Sequence, residues 1–172
     1  MDFSQHLRLL PDYPKPGVIF QDITTLLGNS KVFHAAVQQV AEHYRDKNIT
    51  KVVGIESRGF ILGAAVAYEL GVGLVPMRKK GKLPWKTYSI EYSLEYGVDT
   101  IEIHQDALEP TDRVLITDDI IATGGTAYAS LELVRKFNIP AENVFICFLL
   151  DIHDVPGKEK ELLKQHGYFS LI

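Results

Sequence analysis

Four short, largely apolar runs alternate with helix-like segments and constrain the fold of this chain more than any other feature. The runs lie at residues 51–55, 73–77, 113–117 and 143–150. Near-continuous apolar runs of this length are typical of strands that are covered on both faces. The segments 59–70 and about 123–137 predict crossover helices, so we expect an α/β fold with a central, mostly parallel sheet flanked by helices.

A further helix is predicted before the first of these strands. Its apolar residues recur at helical spacing from residue 30 to about residue 44, and Ser30 is expected to cap its N-terminus.

Two segments interrupt the alternation of strand and helix. Residues 1–28 begin with a short helix candidate and continue through three prolines, which predict a rigid, irregular segment acting as a small N-terminal hood. Residues 78–103 open with a basic cluster and then alternate in polarity, which predicts an antiparallel excursion. Long polar insertions between sheet strands often serve as functional lids, so we expect a flexible lid here. We expect residues 1–172 to form one domain.

The most informative segment reads VLITDDIIATGGT and covers residues 114–126. An apolar strand is expected to end at two adjacent acids, and a turn rich in glycine and threonine then opens a helix. Open parallel sheets bind ligands beyond the carboxyl ends of their strands, and a helix N-terminus offers unpaired N–H groups to a phosphate. The segment therefore predicts a cradle for a monophosphate, made by Ala122, Thr123, Gly124, Gly125 and Thr126.

The two acids, Asp118 and Asp119, need a different partner because carboxylates repel a phosphate. They are favourable next to ribose hydroxyls or a hydrated Mg²⁺ ion. The implied ligand is a phosphorylated sugar, with the metal held by both acids through water or through the ribose.

At these residues the chain resembles the signature of type I phosphoribosyltransferases that binds phosphoribosyl pyrophosphate (PRPP). Nearly the whole chain is similar to the adenine phosphoribosyltransferases of that family. The similarity is carried by YPKPGVIFQDI at 13–23, GIESRGF at 54–60, RKKGKLP at 78–84 and YSLEYG at 92–97. It implies the type I fold, Mg²⁺-dependent transfer of the phosphoribosyl group from PRPP to adenine, the products AMP and pyrophosphate, and a homodimer.

A second anion site is predicted where the segment ESRG follows a strand and opens a helix. Arg58 brings a fork of donors that suits pyrophosphate oxygens, and the resemblance assigns this loop, with Ser57 and Arg58, to pyrophosphate. The basic cluster directly after the next strand is expected to neutralise the rest of the pyrophosphate through Arg78, Lys79 and Lys82.

Catalysis is expected to depend mainly on charge placement, with Arg58 and Lys82 stabilising the leaving pyrophosphate. Glu95 lies in the stretch that the resemblance places near the purine, and we expect it to handle a ring proton or to orient the base. Tyr96 is expected to cover the site from the tip of the lid.

The base pocket is predicted at residues 16–21. Phe20 can stack on a purine ring, and the resemblance implies that backbone groups of Val18 and Gln21 read the edge of adenine. Many members of the family carry Arg where this chain has Gln21. A main-chain contact would survive that difference, whereas a side-chain contact would not.

Two alternatives stay open at this point. Relatives that use guanine, hypoxanthine or xanthine usually carry a lysine on the strand after the PRPP motif, and residues 143–150 contain none, which favours adenine. A PRPP-sensing regulator that binds nucleic acid would need an added module or a broad basic face, and the net charge here is −4. Since the single cysteine, Cys147, lies in an apolar run and no stretch has the length of a membrane span, we expect a cytoplasmic protein without membrane partners.

Overall fold

The computed structural model, which describes residues 1–93 and 97–172, alternates strands and helices along most of the chain. The strands are β1 (Arg8–Pro11), β2 (Ile19–Asp22), β3 (Lys51–Ile55), β4 (Gly73–Lys79), β5 (Thr87–Ser93), β6 (Val98–His104), β7 (Val114–Ile121), β8 (Val144–Asp151) and β9 (Phe169–Ser170). The helices are α1 (Thr24–Leu27), α2 (Ser30–Tyr44), α3 (Gly59–Leu70), α4 (Gly125–Arg135) and α5 (Lys158–His166).

Seven of the described strands form one sheet in the order β5-β6-β4-β3-β7-β8-β9. The five strands from β4 to β9 in that order are parallel to their neighbours, and β5 and β6 run antiparallel at one edge. The expected α/β fold with a mostly parallel sheet is therefore confirmed.

The sheet is buried on both faces, which explains why its central strands are apolar at almost every position. In β7, Leu115 packs in the cluster that includes residues of α2 and α3. The next residue, Ile116, packs in the opposite cluster with residues of α4 and α5. Cys147 of β8 is fully buried and acts as a small apolar residue, as expected.

The antiparallel excursion predicted within residues 78–103 is also confirmed. β5 and β6 form a hairpin in which Ile90 lies opposite Ile101, and β6 pairs with the end of β4, where Arg78 lies opposite Glu102. The hairpin thereby extends the sheet beside the basic cluster. The division of the chain into a single domain, with a hood at 1–28 and a lid at 78–103, stays a prediction.

The N-terminal segment contradicts the expectation of an irregular loop, because β1 and β2 form an antiparallel pair. Arg8 lies opposite Asp22 and Pro11 lies opposite Ile19. Pro11 is the last residue of β1, and the two later prolines lie in the connecting turn. At these positions the missing N–H removes no hydrogen bond from the middle of a strand.

Four predicted boundaries were also wrong. Asn29 rather than Ser30 caps α2, since its side chain accepts a hydrogen bond from the Val32 N–H at 3.3 Å. β7 continues through the two acids to Ile121, because its last residues still pair with β8. α4 begins at Gly125, since Gly124 has a left-handed φ of +89°, and it ends at Arg135. Among the described residues, no helix has the length and apolar character needed to cross a bilayer.

Candidate active site

The predicted phosphate and pyrophosphate residues meet at the carboxyl ends of β3, β4 and β7. A cavity of about 540 Å³ opens there. Its described lining consists of Glu56, Ser57, Arg58, Lys79, Lys82, Tyr92, Asp99, Asp118, Asp119, Ile120 and Thr126. Parallel order brings these strand ends to one edge of the sheet, so residues more than 60 positions apart in sequence become neighbours.

The phosphate loop, residues 122–126, joins β7 to α4 and lines a second cavity of about 130 Å³. Gly124 occupies the N-cap position of α4 and has no side chain to cap the helix. The N–H groups of the first turn therefore lack an intrahelical partner and are available to an anion. The monophosphate cradle expected at these residues stays a prediction.

The acid pair is held by a contact with the predicted pyrophosphate loop. Asp119 is 5% exposed, and its Oδ2 lies 2.5 Å from Nε of Arg58. The Asp119 N–H donates to Oδ1 of Asp118 at 2.9 Å. Burial, followed by the negative charge of Asp119, raises the pKa of the Asp118 carboxyl well above its ordinary value. Protonation of Asp118 is therefore favoured by its burial and by its acidic neighbour.

Glu56 organises the basic cluster, a role that sequence reasoning missed. Its side chain is 7% exposed and lies 3.2 Å from Nε of Arg78 and 2.5 Å from Nζ of Lys82. It also accepts a hydrogen bond from the Lys79 N–H at 3.0 Å. Burial alone would raise the pKa of Glu56, but the donors from Lys82, Lys79 and Arg78 outweigh it and lower the pKa to about 2. Glu56 therefore remains ionised and holds the cations together.

Lys79 has a second carboxylate partner on the neighbouring strand β6. Its Nζ lies 2.9 Å from Oδ2 of Asp99 on β6. The hydrogen bond between them raises the pKa of Lys79 and lowers that of Asp99. Each predicted pyrophosphate cation, namely Arg58, Arg78, Lys79 and Lys82, is thus paired with a carboxylate of the chain itself. An anion that binds here must compete with those carboxylates or use the donors that they leave free.

Gly59 permits the close approach of α3 to β7, and sequence reasoning missed it as well. A Cβ at Gly59 would lie 2.8 Å from both Oδ1 of Asp118 and the carbonyl oxygen of Thr117. Real Cβ atoms do not approach oxygen that closely, so only glycine places the start of α3, and Arg58 with it, against the acid pair. The glycine after ESR in the motif is the sequence signal for this requirement.

The three predicted base-binding residues lie on the N-terminal hairpin and not in the described lining of the 540 Å³ cavity. Val18 precedes β2, while Phe20 and Gln21 belong to it; the Phe20 ring packs edge-to-face on Tyr13 at 5.3 Å. Among the described residues, no hydrogen bond or ion pair joins these three to the acid pair. The end of β2 lies within electrostatic reach of the site, since Thr24 donors, and then the charges of Arg8 and Arg58, lower the pKa of Asp22.

The hairpin of β5 and β6 reaches the phosphate loop from the other side. A Cβ at Gly125 would lie 3.1 Å from the carbonyl oxygen of Ser93 at the end of β5. Glu95 and Tyr96, the predicted proton-handling and covering residues, lie outside the described residues.

The acid pair is the candidate position for a metal ion. Within residues 1–93 and 97–172, no three His, Cys, Asp or Glu side chains are grouped to hold one. Mg²⁺ in phosphate-transfer sites commonly uses one or two carboxylates together with water and substrate oxygens. Asp118 and Asp119 fit that pattern, with Asp119 already compensated by Arg58.

Comparison of the sequence with known families places residues 24–166 in the phosphoribosyl transferase domain. The adenine phosphoribosyltransferase of Rhizobium leguminosarum bv. trifolii is 52% identical over 159 residues, which are 92% of this chain and 87% of that protein. The protein of the same name from Methylobacterium radiotolerans is 53% identical over 157 residues, which are 91% of this chain and 86% of the relative.

Solved structures give the same result. An APRTase from Giardia lamblia complexed with 9-deazaadenine superposes with a TM-score of 0.91 and 41% identity, covering 99% of this chain and 95% of that one. Adenine phosphoribosyltransferase from Saccharomyces cerevisiae, complexed with an imino-altritol bisphosphate and adenine, superposes with a TM-score of 0.86 and 33% identity, covering 99% and 97%.

Proposed function

The chain belongs to the phosphoribosyltransferase family, and from that premise we propose that it transfers the phosphoribosyl group of PRPP to adenine, releasing AMP and pyrophosphate. It is a glycosyltransferase of purine salvage. One observation carries the proposal: the acid pair lies between a loop at a helix N-terminus, suited to the 5′-phosphate, and a cluster of four cations, suited to pyrophosphate.

Adenine is the proposed base for two reasons. The relatives reported above, each about half identical to this chain, are adenine phosphoribosyltransferases. β8, the strand after the acid pair, has no lysine to read a six-oxo group. Backbone groups of Val18 and Gln21 are proposed to read the amino edge of adenine, with Phe20 stacking on its ring.

The residue roles follow the charges of the substrate. Ala122, Thr123, Gly124, Gly125 and Thr126 bind the 5′-phosphate, and Ser57, Arg58, Arg78, Lys79 and Lys82 bind pyrophosphate. The transition state of such a displacement resembles an oxocarbenium ion, as in glycoside chemistry. Asp118 and Asp119 hold the ribose hydroxyls and stabilise the positive charge that develops on the sugar.

Arg58 and Lys82 stabilise the leaving pyrophosphate, and Glu95 handles the proton at the purine ring or orients the base. Tyr96 covers the site and excludes water. When bound, Mg²⁺ supplies further neutralisation of the pyrophosphate charge, with Asp118 and Asp119 holding it through water or the ribose. A homodimer is proposed on the family resemblance, and a cytoplasmic location stays a prediction from the sequence.

The test is an assay of the purified chain with PRPP and, separately, adenine, hypoxanthine, guanine or xanthine, with and without Mg²⁺. AMP and pyrophosphate should form with adenine and Mg²⁺, and turnover should fall when the metal is chelated. Faster product formation with guanine, hypoxanthine or xanthine would instead favour a phosphoribosyltransferase for six-oxo purines. PRPP binding by calorimetry without turnover of any base would favour a regulator.

A further inference from the structure

A lysine is buried beside the phosphate loop, at a place that the proposed function does not use. Lys160 of α5 is 1% exposed. Its Nζ lies 2.6 Å from Oδ1 of Asp151 and donates to the carbonyl oxygen of Ile152 at 2.6 Å. Because a buried ammonium group is costly without such partners, these contacts fix the side chain in one position.

Asp151 connects this lysine to the C-terminal segment. Its Oδ2 accepts a hydrogen bond from the Tyr168 hydroxyl at 2.6 Å and lies 3.4 Å from Nδ1 of the exposed His153. The Tyr168 ring in turn packs edge-to-face on Phe148 of β8, with the ring centres 5.3 Å apart. Asp151, Lys160 and Tyr168, which we call the anchor cluster, thereby join the end of β8, α5 and the segment before β9.

The first turn of α5 lies directly against the backbone of the phosphate loop. The Lys160 N–H donates to the carbonyl oxygen of Thr123 at 3.2 Å. A Cβ at Gly124 would lie 2.6 Å from the Lys160 nitrogen, and one at Gly157 would overlap the Thr123 carbonyl oxygen. Contacts this close leave no freedom for α5 to move without moving Thr123 and Gly124.

α5 is short and buries few side chains, so few contacts fix its position. It is nine residues long, reads KEKELLKQH, and buries only Lys160 and Leu163. A helix of this length is not stable in isolation, so its position depends on tertiary contacts. One of its two buried side chains is the lysine of the anchor cluster.

We propose that the anchor cluster is a positioning element for the 5′-phosphate: by fixing α5, it sets the place of the Thr123 and Gly124 backbone. Lys160 is a positioning residue rather than a ligand of the substrate. The inference rests on the proposed function in one respect, namely that this loop binds the 5′-phosphate of a sugar. It predicts that the cluster governs affinity for the 5′-phosphate and not for pyrophosphate, whose cations are held by Glu56, Asp99 and Asp119.

The test compares Lys160→Met with a matched control, Lys164→Met. Lys164 lies on the same helix, is half exposed, and pairs with Glu161 at 2.8 Å. Calorimetry with ribose 5-phosphate reports on the phosphate loop, and calorimetry with pyrophosphate reports on the cationic cluster. Lys160→Met should weaken the binding of ribose 5-phosphate by about tenfold or more, the effect of losing one hydrogen bond to a charged phosphate, and should change pyrophosphate affinity by less than about twofold. Lys164→Met should change neither.

Circular dichroism checks that each variant is folded, and a second variant serves if the first is not. If Lys160→Met alone does not fold, the paired change of Asp151→Leu with Lys160→Met removes both buried charges, an exchange that proteins often tolerate. It should show the same selective loss, because the Tyr168 hydroxyl and the Ile152 carbonyl lose their partners. Equal losses for both ligands, or no loss, in the folded variant would overturn the inference. Failure of the wild-type protein to bind ribose 5-phosphate would instead overturn the proposed function along with it.

Discussion

Nε of Arg58 lies 2.5 Å from a carboxylate oxygen of Asp119, so a residue predicted to bind pyrophosphate is paired with an acid predicted to face the ribose. Asp119 is almost fully buried, whereas half of the Arg58 side chain is exposed. The arginine therefore compensates a carboxylate that solvent cannot reach and still presents donors to the cavity. The two halves of the substrate site are coupled through this contact.

The first prediction concerns Arg58→Ala. A hydrogen bond to a charged group contributes about 1.5–3 kcal/mol, so pyrophosphate affinity should fall by about tenfold to a hundredfold. Arg58→Lys should give a smaller loss, since an ammonium group lacks the planar fork of guanidinium. Calorimetry with pyrophosphate measures both. Arg45→Ala is the control, because Arg45 pairs with Glu42 on the surface of α2; an equal loss in that variant would contradict the assignment.

The second prediction concerns Glu56→Gln and acid stability. The pKa of Glu56 is lowered from an ordinary 4.5 to about 2 in the folded protein. Its contribution to the free energy of unfolding is therefore complete above pH 4.5 and is lost as the pH falls towards 2. Urea titrations across this range should show a steeper loss of stability in wild type than in Glu56→Gln.

The same variant should also raise the KM for PRPP, because Arg78 and Lys82 lose their common partner. Glu42→Gln, which alters an exposed carboxylate, is the matched control. If the stabilities of wild type and Glu56→Gln fall equally with decreasing pH, Glu56 does not hold the basic cluster together.

Much of the fold could be predicted from the sequence, because its signals are local. Strands such as β3 and β8 are continuous apolar runs, and Leu115 and Ile116 show why: alternate residues enter different cores. The N-terminal hairpin was missed because prolines argue against strands. Only the pairing of Pro11 with Ile19 shows that the prolines fall at the end of β1 and in the turn that follows. The extent of β7 depends on pairing with β8, which no local pattern reports.

The candidate site divides in the same way. The phosphate loop and the acid pair are contiguous in sequence, so their chemistry could be inferred directly. The partner of each cation could not, since Glu56 meets Lys82 across 26 positions and Lys79 meets Asp99 only through the pairing of β4 with β6. The Asp151–Lys160 contact was missed because a lysine in a charged helix is ordinarily exposed.

The third prediction concerns Asp118→Asn. Burial and the Asp119 charge raise the pKa of Asp118, so between the ordinary and the raised pKa the folded protein holds a proton there that the unfolded chain has lost. The contribution of Asp118 to the free energy of unfolding falls as the pH rises towards the raised pKa. Asp118→Asn should therefore be more stable than wild type at neutral pH. It should also bind PRPP with Mg²⁺ more weakly.

The pH dependence of that binding separates the two effects. In wild type, PRPP affinity should rise as Asp118 loses its proton, beyond the change due to the phosphate itself. Asp118→Asn retains only the titration of the ligand, so the difference between the two calorimetric profiles isolates Asp118. Identical profiles would exclude Asp118 from the ribose and metal site.

The fourth prediction concerns Glu95, whose role stays a prediction because it lies outside the described residues. Replacement by Gln removes the group proposed to handle the purine proton and leaves the anion sites intact. Turnover should fall far more than PRPP affinity, as steady-state kinetics and calorimetry would show. Unchanged turnover would exclude Glu95 from proton transfer.

The last prediction concerns Gly59→Ala, which adds one methyl group where α3 meets β7. The new Cβ would lie 2.8 Å from Oδ1 of Asp118, so helix and strand must separate, at a cost of about 1–3 kcal/mol in the free energy of unfolding. Arg58 moves with the start of α3, and pyrophosphate affinity should fall together with stability. Gly73→Ala is the control, because its Cβ would meet only the flexible Lys51 side chain at 3.3 Å. Equal behaviour of the two variants in urea titration and calorimetry would show that the close approach of α3 has no part in arranging the site.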